Sequence, residues 1–160
     1  MLLVPFRDEN APQLCEWIKS GRDNFLWGGP AFDFPLQIAR VREHIAKKEV
    51  TPYLVMHEGV PIGYIDIYRV SKSEVRLCRV LIAETSARGK GLGKQLVSLA
   101  LDVVTEDPRI RTVSLAVFAH NEIAVRCYTS LGFEMLCGET KVREFQEEDW
   151  TLYRMTKRIA

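Results

Sequence analysis

The spacing of apolar and polar residues predicts strands and amphipathic helices in alternation from the start of the chain. The opening "LLVPF" is typical of a short strand, and residues 8–21 carry apolar side chains at helical spacing. Asp8 or Asn10 is suited to cap that helix and Gly21 to end it. Residues 22–34 are rich in turn formers and aromatic residues, so we expect a loop there. A second helix is predicted over residues 35–48.

The middle of the chain predicts three strands and a helix. Residues 51–57, 61–70 and 73–83 are rich in β-branched and aromatic side chains, and Glu58-Gly59 predicts a turn between the first two strands. A glycine-rich stretch comes next, followed by a helical pattern. The predicted apolar face of that helix consists of Leu92, Leu96, Leu99, Ala100 and Val103.

The last third of the chain predicts one more strand and helix before a closing pair of strands. Residues 111–118 form a β-branched run, and residues 121–133 begin with a capping Asn and end near a Gly. Residues 133–142 and 149–158 predict two strands around an acidic turn. The predicted order is therefore β-α-α-β-β-β-α-β-α-β-β, an α/β mixed sheet with helices on both faces.

Composition narrows the class of protein. The chain has 160 residues, 47% hydrophobic and 27% charged, which predicts one globular domain over residues 1–160. A net charge of +1 gives no reason to expect nucleic acid or a membrane surface as a partner. The four cysteines form no CxxC pair, so we expect buried thiols in a reducing compartment. We see no signal peptide or apolar run of membrane-spanning length, and expect a cytoplasmic protein.

The stretch "ARGKGLGKQL", residues 87–96, places three glycines at alternate positions immediately before a helix. Backbone N–H groups at a helix start lack partners and attract anions, and glycine lets a bulky phosphate approach them. Arg88, Lys90 and Lys94 add positive charge. The stretch therefore predicts a cradle for a phosphate or pyrophosphate, while a flexible turn is the alternative explanation.

Two familiar phosphate motifs do not match this stretch. A Walker A loop counted from Gly89 needs glycine at position 94, where Lys94 stands. The dinucleotide fingerprint counted from Gly91 needs glycine at position 96, where Leu96 stands. What remains is Arg-x-x-Gly-x-Gly, formed by Arg88, Gly91 and Gly93 after a predicted strand.

A second motif lies one strand downstream, in "NEIAVRCYTSLGF". Its Asn, Ala, Tyr and Gly-Phe are at positions 121, 124, 128 and 132–133. Together the two motifs resemble the GNAT superfamily of N-acetyltransferases, whose signature is R/Q-x-x-G-x-G/A followed by N-x-x-A-x-x-x-Y-x-x-x-G-F. The resemblance extends over essentially the whole chain. It implies the GNAT fold, with a sheet that splays at the acyl-CoA site.

The resemblance also implies where acetyl-CoA, the acyl donor, binds. The pyrophosphate is expected on the loop backbone, and the pantetheine arm beside the splayed strand near Leu81, Ile82 and Ala83. Asn121 and Ala124 match family positions on the cofactor helix, and the asparagine contacts the pantetheine arm. No metal is implied. The loop residues expected to bind the pyrophosphate are Arg88, Gly89, Lys90, Gly91, Leu92, Gly93 and Lys94.

Tyr128 matches the family tyrosine that protonates the departing thiolate, although a tyrosine at this position could also simply pack in the core. The implied reaction is direct attack of an amine on the thioester, with both reactants held together. The base is open among Asp66, Glu84 and His120, each of which could be an ordinary polar residue. Asp66 is a candidate because it shares a strand face with apolar residues, where an unpaired carboxylate is costly.

The acceptor is predicted only as an amine, on a small molecule or on a protein or peptide. Trp27, Phe32 and Phe34 lie on the aromatic loop and are expected to cover the acceptor as a mobile lid, or else to pin the loop in place. A monomer or a homodimer is expected from the family. Two other functions stay open: an acyl-CoA sensor without turnover, and a nucleotide-binding module that uses the same phosphate cradle.

Overall fold

The structure is a computed structural model that describes residues 1–83 and 91–159. Five α-helices occur in these ranges: α1 Ala11–Trp17, α2 Gly21–Gly28, α3 Ile38–Ile45, α4 Leu92–Thr105 and α5 Glu122–Ser130. The same ranges contain the strands β1 Leu2–Pro5, β2 Val50–His57, β3 Val60–Arg69, β4 Glu74–Ile82, β5 Thr112–Phe118, β6 Glu134–Met135, β7 Lys141–Phe145 and β8 Glu148–Arg158.

All of these strands belong to one sheet in the order β1-β2-β3-β4-β5-β8-β6, and β7 pairs with β8. The β4–β5 pair is parallel, with α4 in the connection between them, and the other pairs are antiparallel. The prediction of a mixed α/β sheet is therefore confirmed. The parallel pair marks the position at which the sheet changes its mode of connection, a common location for ligand sites.

The sheet splays between β4 and β5, as expected. Their ladder ends at the pair Leu77–Leu115, although β4 continues to Ile82 and β5 to Phe118. Beyond that pair the two strands separate and leave a gap in the middle of the sheet. The gap positions the candidate active site.

Helices cover both faces of the sheet. Helices α4 and α5 pack on one face, where Leu96 and Tyr128 join a core with Ile65 and Leu115 from the strands. Helices α1 and α3 pack on the other face, in a second core that includes Leu14, Val41, Leu54 and Tyr64. A third cluster joins α2 to the far side of the gap through Phe25, Phe118 and Trp150. Burial of these apolar surfaces is the main force that holds the layers together.

The predicted loop over residues 22–34 is wrong in its first half, because α2 occupies Gly21–Gly28. Ser20 caps this helix, and its side chain accepts a hydrogen bond from the Asp23 backbone N–H at 3.0 Å. Gly21 therefore begins a helix instead of ending one, and α1 ends earlier than predicted, at Trp17. The capping pattern Ser-x-x-Asp outweighs the low helix propensity of the glycines.

The predicted strand over residues 133–142 is broken into two pieces. Glu134–Met135 and Lys141–Phe145 both pair with β8, and the left-handed Gly138, at φ +85°, lies between them. A glycine in this conformation ends regular strand pairing. Within residues 1–83 and 91–159, the helices are too short or too polar to cross a membrane.

Candidate active site

The gap between β4 and β5 is a cleft of about 200 Å³. One wall is the end of α2, and the floor is reached by Asn121 and Tyr128 from the α5 motif. The α5 motif therefore meets the edge of β4 at residues 76–80, whereas the predicted residues Leu81, Ile82 and Ala83 do not line the cleft. The described residues that line the cleft from the strands are Arg76, Leu77, Cys78, Arg79, Val80, Ala116, Val117, Phe118, Arg143 and Leu152.

Strand β4 bends at Arg79, which is one of the residues that line the cleft. Arg79 has a left-handed backbone with φ +54°, and the β3–β4 register shifts between Tyr64 and Asp66. A non-glycine residue in this conformation is strained and needs support from its surroundings. The Trp27 indole N–H supplies part of it by donating a hydrogen bond to the Arg79 carbonyl oxygen at 2.8 Å.

The Asp66 carboxylate supplies the rest of the support. The Arg79 guanidinium donates to it twice, from Nε to Oδ2 at 2.8 Å and from Nη2 to Oδ1 at 3.0 Å. The Tyr64 hydroxyl donates to Oδ2 at 2.7 Å, and His44 Nε2 lies 2.9 Å from the same oxygen. Asp66 is fully buried, and each of its oxygens is occupied. We call Asp66, Arg79, His44 and Tyr64 the carboxylate cluster.

The protonation of this cluster follows from its contacts. Burial alone would raise the pKa of Asp66, but hydrogen bonds and charge from His44 and Arg79 outweigh it and hold that pKa below its usual value. Burial, followed by the Asp66 charge, raises the pKa of Tyr64 far above its usual value. Asp66 therefore stays ionised and Tyr64 stays protonated at neutral pH. A carboxylate with a low pKa and saturated oxygens is poorly suited to accept a further proton.

Gly63 lets β4 lie close to β3 beside the bend. A Cβ atom at Gly63 would collide with the carbonyl oxygen of Leu81. Glycine is therefore required here by a close backbone approach. This approach draws β4 toward β3 on the side opposite to the gap, and so helps to keep it apart from β5.

The start of α4 has the features of an anion site. Gly91 is the N-cap, in a left-handed conformation at φ +75°, and it provides no side-chain cap. The first turn of α4 carries no acidic residue, and Lys94 is exposed beside it. A shallow depression of about 410 Å³ lies here, lined by Gly91, Lys94, Gln95, Ser98, Leu99 and Met1. The predicted loop residues Arg88, Gly89 and Lys90, and the candidate base Glu84, lie outside the described residues.

The predicted cofactor residues of β4 lie immediately beyond the cleft lining. Leu81 is buried in the core beneath α1 and α3, and Ile82 and Ala83 are half-buried. The Ala83 N–H donates to the Ile62 carbonyl at 2.8 Å, so this group belongs to the sheet. The edge that faces the gap is formed by residues 78–80.

The α5 motif has both a structural role and a place in the cleft. Asn121 is the N-cap of α5, and its side-chain oxygen accepts from the Ala124 N–H at 3.4 Å. Tyr128 lies two turns along the same helix and packs against Phe133 with ring centroids 6.0 Å apart. Burial, and then the neighbouring Cys127, raise the pKa of Tyr128 well above its usual value. The phenol is therefore protonated where it meets the cleft.

The three aromatic residues predicted to cover the acceptor have different environments. Trp27 lines the cleft and stacks on Phe32 at 5.7 Å between ring centroids, while Phe32 packs edge-on against His44. Phe34 is 43% exposed and does not line the cleft. Trp27 and Phe32 both pack against neighbouring rings, and of the three predicted aromatic residues Trp27 alone lines the cleft.

Sequence reasoning missed the carboxylate cluster apart from Asp66. Arg79 lies on a strand that also carries Glu74 and Arg76, and Asp66 is opposite Cys78 in the register, so the sequence does not indicate which charged residues meet. His44 lies on α3 and is 7% exposed, and nothing in its local sequence distinguishes it from a surface histidine.

Comparison with known proteins identifies the family. The family model described as "Acetyltransferase (GNAT) domain" matches residues 7–140. The aminoglycoside N(6')-acetyltransferase type 1 of Klebsiella pneumoniae is 31% identical over 143 residues, which cover 79% of this chain and 70% of that protein. A kanamycin resistance protein of Rhizobium radiobacter is 36% identical over 53 residues, or 33% of this chain and 49% of that protein.

Solved structures agree with this assignment. The aminoglycoside acetyltransferase AAC(6')-Ib in complex with coenzyme A superposes with a TM-score of 0.77 at 25% identity, covering 98% of this chain and 93% of that one. The spermidine N-acetyltransferase of Vibrio cholerae, in complex with CoA and spermine, has a TM-score of 0.81 at 16% identity over 98% and 94% of the two chains, and so supports the fold. The chain is an acyltransferase that belongs to the GNAT acetyltransferase family.

Proposed function

We propose that this protein transfers the acetyl group of acetyl-CoA to a primary amine of a small molecule, and that Tyr128 is the general acid. The observation that carries the proposal is the cleft between the splayed strands, which Tyr128 and Asn121 reach from α5. We further propose that residues 1–160 act as one acetyltransferase domain in the cytoplasm, as monomer or homodimer.

Two described regions would suit the pyrophosphate and the pantetheine arm of CoA. The uncapped first turn of α4 and the exposed Lys94 suit the pyrophosphate, because free N–H groups and a helix dipole favour an anion. Beyond the pair Leu77–Leu115, β4 and β5 no longer pair with each other, and their separated edges suit the pantetheine arm, which can pair with backbone groups as a strand would. When bound, acetyl-CoA supplies an acetyl thioester with a thiolate leaving group.

Residues of the cleft would then act on the thioester in three ways. Backbone N–H groups of the segment at residues 78–80, which lines the cleft, would stabilise negative charge on the carbonyl oxygen. Asn121 holds the pantetheine arm near its thiol end. Tyr128 donates its phenolic proton to sulfur as the amine displaces it, so that no covalent enzyme intermediate forms.

The environment of the cleft affects both the Tyr128 phenol and the departing thiolate that receives its proton. In water a thiol is more acidic than a phenol by about 1.5 units, which makes the transfer uphill by roughly 2 kcal/mol. Inside the cleft, burial and then the Asp66 charge raise the pKa of the Cys78 thiol to about 11. A thiolate released at the same place would be destabilised in the same way, but burial also raises the pKa of Tyr128, so the transfer stays uphill and has to accompany C–S cleavage.

The base for the amine is a separate question from the acid. Because both Asp66 oxygens are already engaged in the carboxylate cluster, with three contacts at Oδ2 and one at Oδ1, we propose that Asp66 positions Arg79 and the bend in β4. Glu84 stays a candidate base. An amine with a pKa near 8 is neutral about a tenth of the time at pH 7 and needs little help, whereas a lysine-type amine needs a base or a water relay.

Relatives suggest the first acceptors to test. A relative covering 79% of this chain is named an aminoglycoside N(6')-acetyltransferase, and AAC(6')-Ib has been solved with coenzyme A and kanamycin. Aminoglycosides therefore head the panel of amines, followed by polyamines, amino acids and peptides.

The test is thiol release from acetyl-CoA in the presence of that panel, with Tyr128→Phe as the decisive variant. We expect kcat with the best amine to fall by about a hundredfold or more, as is typical for loss of a general acid. The Kd for acetyl-CoA, measured by calorimetry, should stay unchanged, because the phenol acts on the leaving group.

Tyr68→Phe is the matched control, because it removes a phenol from β3 that does not line the cleft. Its kcat should equal that of the parent protein. Equal kcat values for Tyr128→Phe and the parent would overturn the acid role of Tyr128. Binding of acetyl-CoA without thiol release from any amine would instead indicate a sensor, and competition by ATP but not by CoA would indicate a nucleotide module.

A further inference from the structure

The side chains at the cleft are strongly biased in charge. Arg76, Arg79 and Arg143 line it, and the described lining residues include no aspartate or glutamate. A fourth arginine, Arg154, lies opposite Ala116 in the β5–β8 register, and Ala116 itself lines the cleft. Such a site would repel a polycation and attract an anion.

These arginines share one face of the sheet. Arg76 pairs with Ser114 across the β4–β5 ladder, and its Nε donates to the Ser114 hydroxyl at 3.1 Å. Arg143 on β7 pairs with Trp150, which lies on the same side of β8 as Arg154 because the two are four residues apart. Trp27 and the carboxylate cluster lie on this face as well, so the arginines surround the side from which an acceptor would approach.

Some of this positive charge is already neutralised, and some is not. Arg79 is paired with Asp66, and Arg76 has Glu74 at 3.8 Å. Within residues 1–83 and 91–159, Arg143 makes no side-chain hydrogen bond or ion pair. The Arg154 Nη1 is buried and lacks a hydrogen-bond partner among the same residues, and its nearest carboxylate oxygen, from Glu139, is 4.0 Å from Nε.

An unpartnered guanidinium nitrogen in a buried place is costly unless a ligand satisfies it. Arg154 is 14% exposed, and burial followed by the charge of Arg76 lowers its pKa. The protein therefore holds cationic groups close together beside the cleft at an electrostatic cost. A bound oxyanion would remove that cost and provide acceptors for Arg154 Nη1 and Arg143.

We propose that the acceptor is an amine that also carries an oxyanion, a carboxylate or a phosphate, bound by Arg143 at the open side of the cleft and attracted by the positive charge of the buried Arg154 beside it. This inference rests on the proposed acetyl transfer and names its substrate class. Anchoring the anion would orient the amine toward the thioester. The same charges would disfavour aminoglycosides and polyamines, which bear only positive charge.

The experiment compares amines that differ only in the anion. β-Alanine, 4-aminobutanoate, 6-aminohexanoate and lysine are each assayed for thiol release beside their own carboxamides, and phosphoethanolamine beside ethanolamine. We expect kcat/KM to be about 10- to 100-fold higher for the anionic member of at least one pair, the range for one charge-assisted hydrogen bond. The carboxylate and phosphate arms show which oxyanion is preferred. Kanamycin is the polycation in the same assay.

Arg143→Gln tests the anchor itself. We expect this variant to raise KM about tenfold or more for the preferred anionic amine and to leave KM for its uncharged partner unchanged. Arg158→Gln is the matched control, because Arg158 is exposed at the far end of β8, and it should change neither KM. Arg154→Lys, which keeps the charge but removes the fork, should give a smaller rise in KM than Arg143→Gln.

Other outcomes separate this inference from the proposed function. The inference would be overturned if kanamycin or the uncharged partners were turned over as fast as the anionic amines and Arg143→Gln were indistinguishable from the parent protein. Acetyl transfer would still stand as the proposed function. Absence of thiol release from every amine would overturn the proposed function and this inference with it.

Discussion

The two sides of the cleft differ in the chemical groups that they present. The proposed donor side, formed by the edges of β4 and β5 and the start of α4, presents main-chain groups and glycine. The proposed acceptor side, formed by Trp27, the carboxylate cluster and the arginines, presents side chains held by buried polar contacts. The donor side can therefore serve any chain that keeps its backbone shape, whereas the acceptor side depends on the identity of each residue.

The largest effect is expected from breaking the carboxylate cluster. Asp66→Asn removes the negative charge beside a buried Arg79, and we expect the free energy of unfolding to fall by about 3–5 kcal/mol, as for other broken buried ion pairs. Urea unfolding followed by circular dichroism measures this loss. Asp102→Asn, on the exposed face of α4, is the control and should stay close to the parent protein.

The pH dependence of the free energy of unfolding in acid provides a second test of the same ion pair. The pKa of Asp66 is lower in the folded protein than its usual value, so the folded state binds fewer protons than the unfolded state below about pH 4. The contribution of Asp66 is thus complete above that pH and is lost as pH falls through the folded-state pKa. Asp66→Asn should flatten this acid-side decline. A stable but inactive Asp66→Asn protein would instead favour Asp66 as the base.

A smaller effect is expected from Gly63, which shapes the donor side from behind. Gly63→Ala places a methyl group against the Leu81 carbonyl, and we expect the free energy of unfolding to fall by about 1–3 kcal/mol, as for other overpacked sites. The displaced β4 should also bind acetyl-CoA more weakly in calorimetry. Unchanged stability would mean that β3 and β4 can separate at this point without cost.

The smallest effect on stability, and one of opposite sign, is expected at Gly93. It lies in the first turn of α4, and a Cβ atom there would meet no atom of residues 1–83 or 91–159 within 4 Å, so Gly93→Ala should stabilise the fold by about 0.5–1 kcal/mol through helix propensity. The added methyl group should still weaken acetyl-CoA binding in calorimetry, because it stands where the pyrophosphate approaches. Tighter folding together with undiminished binding would exclude α4 from the donor side.

The same contrast explains what the sequence could predict. The start of α4 and the α5 motif follow from local patterns: Gly91 and Gly93 lie at the beginning of a helix, and Asn121 and Tyr128 lie on one short segment. The acceptor side depends on contacts distant in sequence, since Arg79 is 13 residues from Asp66, and His44 is 22 from it. No local periodicity reveals which charged residues of β3, β4 and α3 meet in the folded chain.

The missed helix α2 has a related cause. Its residues include Gly21 and Gly28 and a tryptophan, which favour a loop by propensity. The helix is stabilised instead by the Ser20 cap and by the packing of Phe25 against Phe118 and Trp150, residues that follow it by more than ninety positions. Tertiary contacts of this kind override local preference, and only the cap was visible in the sequence.

The hydrogen bond from Trp27 to the Arg79 carbonyl ties the two sides of the cleft together. Replacing Trp27 with a smaller residue, to admit a bulkier amine, would also remove the hydrogen bond that supports the Arg79 backbone. We propose that this backbone orients the strand edge toward the thioester. The larger acceptor pocket would therefore be accompanied by a slower reaction with every amine. Redesign of acceptor preference in this enzyme should therefore begin at Arg143 and leave a hydrogen-bond donor at position 27.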